Sequence, residues 1–505
     1  MATNVMNCYL AVLGAGASGT VAAVKAKELG VNNVIILEKA KKPGGCSWYG
    51  VGLKIENTKW HKEAGYPDTT DELFRERIKN NNWDANHKLI RKFIDLSGPW
   101  FDWLIEKGGV DKYFMKPAKQ AAGQQAQGGM RRPWLMFPKR HLNEKSRDPS
   151  IGPGWAGSFI VTKMLEECEK LGIQIITEAR AREFIKDAKG NITGVLADAK
   201  DGMLRVNCKA CISAAGGFGR NVEFLKKKFP LFVNGDRYHC FDIPTNTGDL
   251  MEVAGKAGAF IDDTRLFWEF AGPVHHPYSY TVFRIIQEPE NVYVNLNGER
   301  FFCENDLQAG HYPLSKQPKS VCYAIEDQDM TETFGQRYIE RSSNSATDSW
   351  ISKDFRNDID YEVSLDQSGA RGDHVKKADT LEELAVKMKI DPKTFIATIK
   401  RYNEFCENKR DLDFYKKPEY LMPIRKPPFY AFFAQRFGNH TAGGIVINEN
   451  MEVLNTGKKA IPGLFASGDN AGGMITNGQS AGGLLWAATS GYMAGIAASK
   501  YINRA

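Results

Sequence analysis

The feature that most limits the fold of this chain is a glycine turn set between a short apolar strand and a helix. Residues 5–13 read as a buried strand, Gly14-Ala15-Gly16-Ala17-Ser18-Gly19 follows directly, and a helical pattern runs from about residue 18 to residue 29. Val34-Ile35-Ile36-Leu37 forms a second strand that closes on Glu38. Together they make a βαβ unit with GxGxxG at its first turn and an acid about twenty residues further on. In such a unit the glycines let the backbone approach a pyrophosphate, and the helix start offers N–H groups and its dipole. Glu38 is placed to accept from ribose hydroxyls. A lone GxGxxG says little, but this one has its strand, its helix and its acid.

Further along, residues 70–107 carry a helical pattern, 120–130 read as a Gln-, Ala- and Gly-rich loop, and 158–171 as an amphipathic helix. Strands are expected near 174–177, 182–185, 195–199 and 206–213, the last ending in Ala214-Ala215-Gly216-Gly217. Between about 266 and 435 aromatic residues are denser, βαβ signals fade, and separate helical pieces stand at 381–389 and 392–408. Alternating strand and glycine signals return from Gly438 to the end. We therefore expect an α/β dinucleotide-binding domain built from 1–265 and 436–505, with 266–435 inserted as a second domain.

The bulk properties exclude several classes. At 505 residues, 42% hydrophobic and 25% charged, the chain is neither disordered, nor fibrous, nor a small disulfide scaffold. The net charge of 67 − 60 = +7 is spread out, basic runs such as Lys226-Lys227-Lys228 are short, and no aromatic-interleaved stripe points to nucleic acid. Nine cysteines have no regular spacing, and the solitary Cys208-x-x-Cys211 lies in a strand pattern, so buried reduced thiols are expected rather than a metal site. The most membrane-like stretch, 481–499, is rich in Gly, Ser and Thr and reads as a buried helix rather than a span. With no signal peptide before the first strand, a soluble cytoplasmic protein is expected.

Several segments fall in one order and spacing: Glu38-Lys39-Ala40, Gly44-Gly45-Cys46-Ser47, Ala214 to Phe218, Asn246-Thr247-Gly248-Asp249, His440-Thr441-Ala442-Gly443-Gly444, Pro462 to Asp469, and Ala481-Gly482-Gly483. In these the chain resembles the flavoprotein family of soluble fumarate reductases, urocanate reductase and 3-ketosteroid Δ1-dehydrogenase, over nearly its whole length. The resemblance implies a Rossmann-like FAD domain of the glutathione-reductase type with an inserted α+β capping domain. It implies an FAD diphosphate over Gly14, Ala15, Gly16, Ser18 and Gly19, the adenosine ribose on Glu38, and Ser47 near the diphosphate. Asp249 is implied near the cofactor and Asp469 on its ribityl side, with the backbone at Leu484 and Leu485 facing the flavin's pyrimidine edge. Lys39, Gly45, Cys46, Ala215, Gly216, His440, Gly468 and Ser480 complete the implied cofactor set. Membrane-bound relatives attach FAD to a histidine soon after the double glycine; residues 44–60 hold none, so non-covalent FAD is expected.

The substrate positions depart from the family pattern. Fumarate reductases grip two carboxylates with arginines, histidines and a Thr-Glu pair, and use an arginine as proton donor. His440 and His276 match the two histidines, but Gln308 stands at the proton-donating arginine, Ser480 at a clamping arginine, and Phe283-Arg284 at the Thr-Glu pair. A serine cannot replace the bidentate guanidinium fork. The tyrosines of the ketosteroid dehydrogenases are also absent, Gln308 and Gln479 standing there, with Tyr312 four residues beyond. Trp48, Tyr49, Trp134, Phe137, Phe267, Trp268, Phe270, Tyr278 and Tyr280 fall in segments that the family folds over the flavin, and half of them are expected to be core packing. We expect an ene-reductase acting on a hydrophobic, uncharged, enone-like substrate such as a steroid or plant phenolic. The candidates for moving its proton are Tyr312, His311, His276, His440 and Arg284, with Gln308 at the vacated position. Alternatives are a ketosteroid-like dehydrogenase, a monocarboxylate reductase using Arg284, and an electron-relay subunit. The chain has no haem CxxCH motif, so electrons are expected from a reduced flavin or a separate reductase.

Overall fold

The computed structural model describes residues 3–50, 55, 57–63, 65, 67–81, 83–107, 156–230, 242–263, 266–272, 282, 285–305, 307–344, 354–368, 374–472, 474 and 483–504. Its central sheet has six strands in the order Glu452–Leu454, Ala460–Ala466, Ala210–Ser213, Leu10–Leu13, Val34–Leu37, Gln174–Ile176. All neighbours pair in parallel except the first two, which form an antiparallel pair. The strands Leu10–Leu13, Val34–Leu37 and Ala210–Ser213 are buried at every residue, as parallel strands covered on both faces must be. A second sheet, in the order Thr3–Asn7, Gly202–Asn207, Ile192–Ala199, Arg180–Lys186, shares the same apolar core.

Two expected strands divide between these sheets. The strand expected over 5–13 breaks at Cys8-Tyr9: Thr3–Asn7 is mostly exposed and pairs with Gly202–Asn207, while buried Leu10–Leu13 pairs with Ala210–Ser213. The strand expected over 206–213 breaks beside it, and the two segments cross together, with Cys8 N donating to Asn207 O and Lys209 N to Tyr9 O. The thiols of Cys208 and Cys211 lie 3.3 Å apart at this crossing, buried as expected. The helical region over 70–107 is likewise two helices, Thr70–Asn80 and His87–Glu106. Trp83 at φ 62° ends the first turn of chain, and the Asn86 side chain caps the second helix by accepting from Leu89 N.

The membrane-like stretch forms the buried helix Gly483–Arg504. It packs along the first helix, Ala17–Glu28, through its glycines: a Cβ on Gly491 would collide with Ser18 O, and one on Gly495 would lie 2.6 Å from Ala22 O. Its small residues therefore answer to helix packing. No helix among the described residues is long and apolar enough to cross a membrane.

Residues from 282 to 434 build a separate apolar core. It lies on a five-stranded sheet in the order Leu266–Gly272, Phe429–Thr441, Val321–Glu326, Val292–Asn295, with Val375–Ala378 also paired to Phe429–Thr441. Buried Arg300, held by Glu304 at 2.7 Å and Asp411 at 2.8 Å, ties together segments more than a hundred residues apart. We propose 1–265 and 436–505 as the cofactor domain and 266–435 as the cap; the second division falls inside the strand Phe429–Thr441, which carries the chain from one core towards the other. Gly491→Val should destabilise the protein by roughly 1–3 kcal/mol, because the helix contact leaves no room for a side chain. Urea unfolding checks this, and an unchanged midpoint would refute the packing argument.

Candidate cofactor cleft

The first turn is shaped by close backbone approach. Gly14 adopts φ 112°, and a Cβ there would collide with Ala214 O, while a Cβ on Gly19 would collide with Gly14 O. A second glycine turn lies alongside: Gly44, also at φ 112°, donates its N–H to Ala15 O at 2.8 Å. The short turn Gly45–Tyr49 then brings Ser47 Oγ to accept from Ala17 N at 3.0 Å, at the start of the helix Ala17–Glu28. That helix has no acidic residue in its first turn, so its N-terminus stays electropositive. Buried Glu38 accepts from Ala15 N with one oxygen and from Ala40 N with the other, both at 2.8 Å. A carboxylate oxygen has a further lone pair, so Glu38 keeps capacity for a ribose hydroxyl.

These elements open onto one cleft. Of the cofactor residues expected from the sequence, Gly14, Gly16, Ser18, Glu38, Lys39, Gly45, Cys46, Ser47, Ala215, Gly216, Asp249, Gly468 and Asp469 line it. Ala15 and Gly19 stand in the wall behind, as the backbone contacts above describe. Leu484 and Leu485 lie in the first turn of Gly483–Arg504; Leu485 is buried in the core, and Ala487 reaches the cleft. The backbone of His440 lies on Phe429–Thr441 paired with Phe267, and the next residue, Thr441, bonds Asp469 O at 3.3 Å. Ser480, His276 and Arg284 lie outside the described residues, as do Trp134, Phe137, Tyr278 and Tyr280.

The proton candidates in the cap separate. Gln308 falls in the turn Leu307–Gly310, and the helix His311–Ser315 follows. Tyr312 is 57% exposed with Lys316 Nζ 4.5 Å from its ring centre, so the structure places it at the surface and not in the cleft. His311 is turned inward, since consecutive helical residues point about 100° apart. Burial, with Arg436 nearby adding to it, pulls the His311 pKa down to about 3 and leaves a neutral imidazole.

Part of the cleft wall is organised by cations. Asp249, at the start of the helix Asp249–Lys256, takes Arg180 Nε at 2.8 Å and Lys39 Nζ at 3.0 Å on one oxygen and Thr247 Oγ1 at 2.7 Å on the other. Burial alone would raise its pKa, but the bonds from Arg180, Thr247 and Lys39 outweigh it and hold the carboxyl down to about 2. Asp469 also lines the cleft, and burial and the neighbouring Asp242 push its carboxyl up to about 8. Sequence reasoning missed Arg180 and Asn470, and named Asn246 only as part of a motif. Asn470, whose Nδ2 donates to Gly216 O at 3.1 Å, directly follows the Gly468-Asp469 signal and was within its reach. Arg180 lies just ahead of the strand start expected at 182 and had no local signal.

A glycine-lined backbone cradle at an acid-free helix start, with an acid at the ribose position, fits a dinucleotide diphosphate. The FAD binding domain family profile matches residues 10–485. The vinyl phenol reductase of Lactiplantibacillus plantarum is 26% identical over 488 residues, covering 92% of this chain and 90% of its own length. The urocanate reductase of Eggerthella lenta is 26% identical over 469 residues, covering 91% of this chain and 69% of its own length. The open conformation of a flavocytochrome c3 fumarate reductase shares the fold with a TM-score of 0.74 at 22% identity, over 98% of this chain and 79% of that one.

Asp249→Asn should cost roughly 1–3 kcal/mol of stability at neutral pH, since it loses charge-assisted bonds. The native pKa lies below the usual 3.8, so this contribution is present above about pH 4 and fades as the pH falls towards 2. Denaturation of both proteins across that range checks it; a difference that persists undiminished at pH 2 would refute the assignment.

Proposed function

The chain belongs to the FAD binding domain family and is an FAD-dependent oxidoreductase, and we propose that it reduces the activated C=C bond of a hydrophobic, uncharged substrate of the vinyl phenol or enone kind. The observation that carries this reading is the pair of neutral residues, Gln308 and Ser480, where the diacid reductases it resembles carry arginines. A dicarboxylate brought here would be desolvated without its guanidinium forks, at a cost of several kcal/mol, whereas a phenol or enone carries no such charge. The likeness to a vinyl phenol reductase along 90% of that protein's length supports the same substrate class.

When bound, FAD supplies the hydride chemistry at its flavin ring. The chain's own part is to hold it: the glycine loop and the start of Ala17–Glu28 take the diphosphate, Glu38 the adenosine ribose, and the start of Gly483–Arg504 directs backbone N–H groups to the flavin edge. We propose non-covalent attachment, because His61, the first histidine after the double glycine, is buried with Nδ1 2.8 Å from Thr58 Oγ1. In the cap, neutral His311 holds a polar, uncharged neighbour for the substrate and has no imidazolium proton to give. His440, His276 and Arg284 are the remaining candidates for protonating the second carbon, since Tyr312 lies at the surface. Electrons reach the cofactor from a reduced flavin or a separate reductase.

Dithionite-reduced protein should be reoxidised by a vinyl phenol or a steroid enone on the order of a hundredfold faster than by fumarate, the ratio expected from a few kcal/mol of missing carboxylate pairing. Stopped-flow absorbance of the flavin measures this. Fumarate as the fastest acceptor would overturn the assignment, and reoxidation by an acceptor protein alone would replace it with electron relay.

A further inference from the structure

We infer that Cys208 and Cys211 form a reversible oxidation site, a dithiol that hydrogen peroxide converts to a disulfide where the two sheets cross. The inference stands on the positions of three sulfurs and is independent of the cofactor reading. Cys208 directly precedes a bend of the chain at Lys209, and the strand Ala210–Ser213 begins beyond it. The bend folds the Cys-x-x-Cys segment so that its two sulfurs stand 3.3 Å apart. A disulfide needs about 2.05 Å, a gap that rotation of the two side chains closes.

The neighbouring segment repeats the arrangement. Cys8 precedes its own bend at Tyr9, and its thiol lies against that of Cys208. Above them Lys209 Nζ sits 5.2 Å from the ring centre of Tyr9, which is 41% exposed, so the cluster lies just beneath the surface. Cys8 is half-buried, Cys208 is 9% exposed and Cys211 has no exposure. A molecule as small as hydrogen peroxide therefore meets Cys208 before Cys211. The thiols also differ in the way the reaction needs. The S–H groups of Cys211 and Cys8 donate towards Cys208 and pull its pKa down against burial, while those of both donors are raised. Cys208 is the nucleophile of the set.

The reaction runs in two steps. The Cys208 thiolate attacks one peroxide oxygen: an S–O bond forms, the O–O bond breaks, and the departing hydroxide takes up a proton to become water. The Cys211 sulfur then attacks the sulfenic sulfur of Cys208. An S–S bond forms, the S–O bond breaks, and the hydroxyl leaves with the Cys211 proton as a second water. The two thiols together lose two hydrogen atoms, and one peroxide is reduced to two waters. A soluble dithiol restores the pair by exchange.

The test treats the folded full chain with hydrogen peroxide, blocks the remaining thiols with an alkylating reagent, and reads the tryptic peptides by mass spectrometry. Lys209 stands between the two cysteines, so trypsin separates them, and the disulfide appears as residues 206–209 linked to residues 210–220. That linked pair should form on the order of tenfold faster than Cys168 or Cys322 loses its thiol, and should vanish on adding dithiothreitol. Cys168 and Cys322 serve as internal controls, because burial raises both. Cys8→Ser should leave the linked pair in place, and Cys211→Ser should stop it. Oxidation of Cys208 no faster than that of Cys322 would overturn the inference. So would a linkage from Cys208 to Cys8 instead of Cys211, or a Cys208 that runs on to the sulfinic acid. The wild-type digest decides if either variant fails to fold.

Discussion

The cleft exists because three backbones come into contact without side chains between them. Gly19 packs on Gly14 O, Gly14 packs on Ala214 O, and Gly491 packs on Ser18 O. These contacts bring the first loop, the strand Ala210–Ser213 and the closing helix Gly483–Arg504 to one point. Hydrogen bonds then lock the two ends of the chain together: Ser18 Oγ to Ser467 Oγ at 2.7 Å, Gly468 N to Ser490 Oγ at 2.8 Å, and Trp486 Nε1 to Gly468 O at 3.0 Å. The position of Asp469 thus depends on a turn more than four hundred residues away. Any side chain at these glycines would push on all three elements at once.

The cleft carries charge of both signs. Lys39 and Arg180 are braced by Asp249 rather than left to swing. The glycine loop sits at an acid-free helix start, which suits a diphosphate. Asp469 lies in the cleft wall with its carboxyl pushed up to about 8 by burial and by Asp242. A single cleft thus joins a braced cation pair, a run of backbone and one carboxyl of raised pKa.

The sequence was informative wherever a contact is local or carries a fixed spacing. The βαβ unit, Glu38, the double glycine and the Gly468-Asp469 pair are short patterns whose geometry is nearly independent of the rest, and thirteen of the expected cofactor residues line the cleft. It was less informative where a decision is made by tertiary pairing. Nothing in the apolar run over 5–13 marks the switch between sheets at Cys8-Tyr9, because it is set by a neighbouring segment two hundred residues on that switches with it. Arg180 gave no signal because its place in the cleft comes from the tertiary contact with Asp249, 69 residues on. His311 and Tyr312 looked equivalent as a pair, and only the helix start at His311 turned one inward and the other to solvent.

This difference in legibility follows from what each half of the molecule must do. The cofactor half is constrained by close approach: Gly14, Gly19 and Gly491 cannot accept a Cβ, and its cofactor does not vary, so its residues form readable motifs. The cap is constrained mainly by apolar packing around its sheet, which tolerates exchange of the few residues that face a substrate. On the proposed reading, in which Gln308 and Ser480 stand where the diacid reductases carry arginines, two positive charges are lost with no change to the six-stranded cofactor sheet. Substrate charge can therefore change by a handful of side chains while the flavin stays where it is. A protein of this architecture is better classified by the charge of the residues that meet its substrate than by its overall likeness to any one reductase.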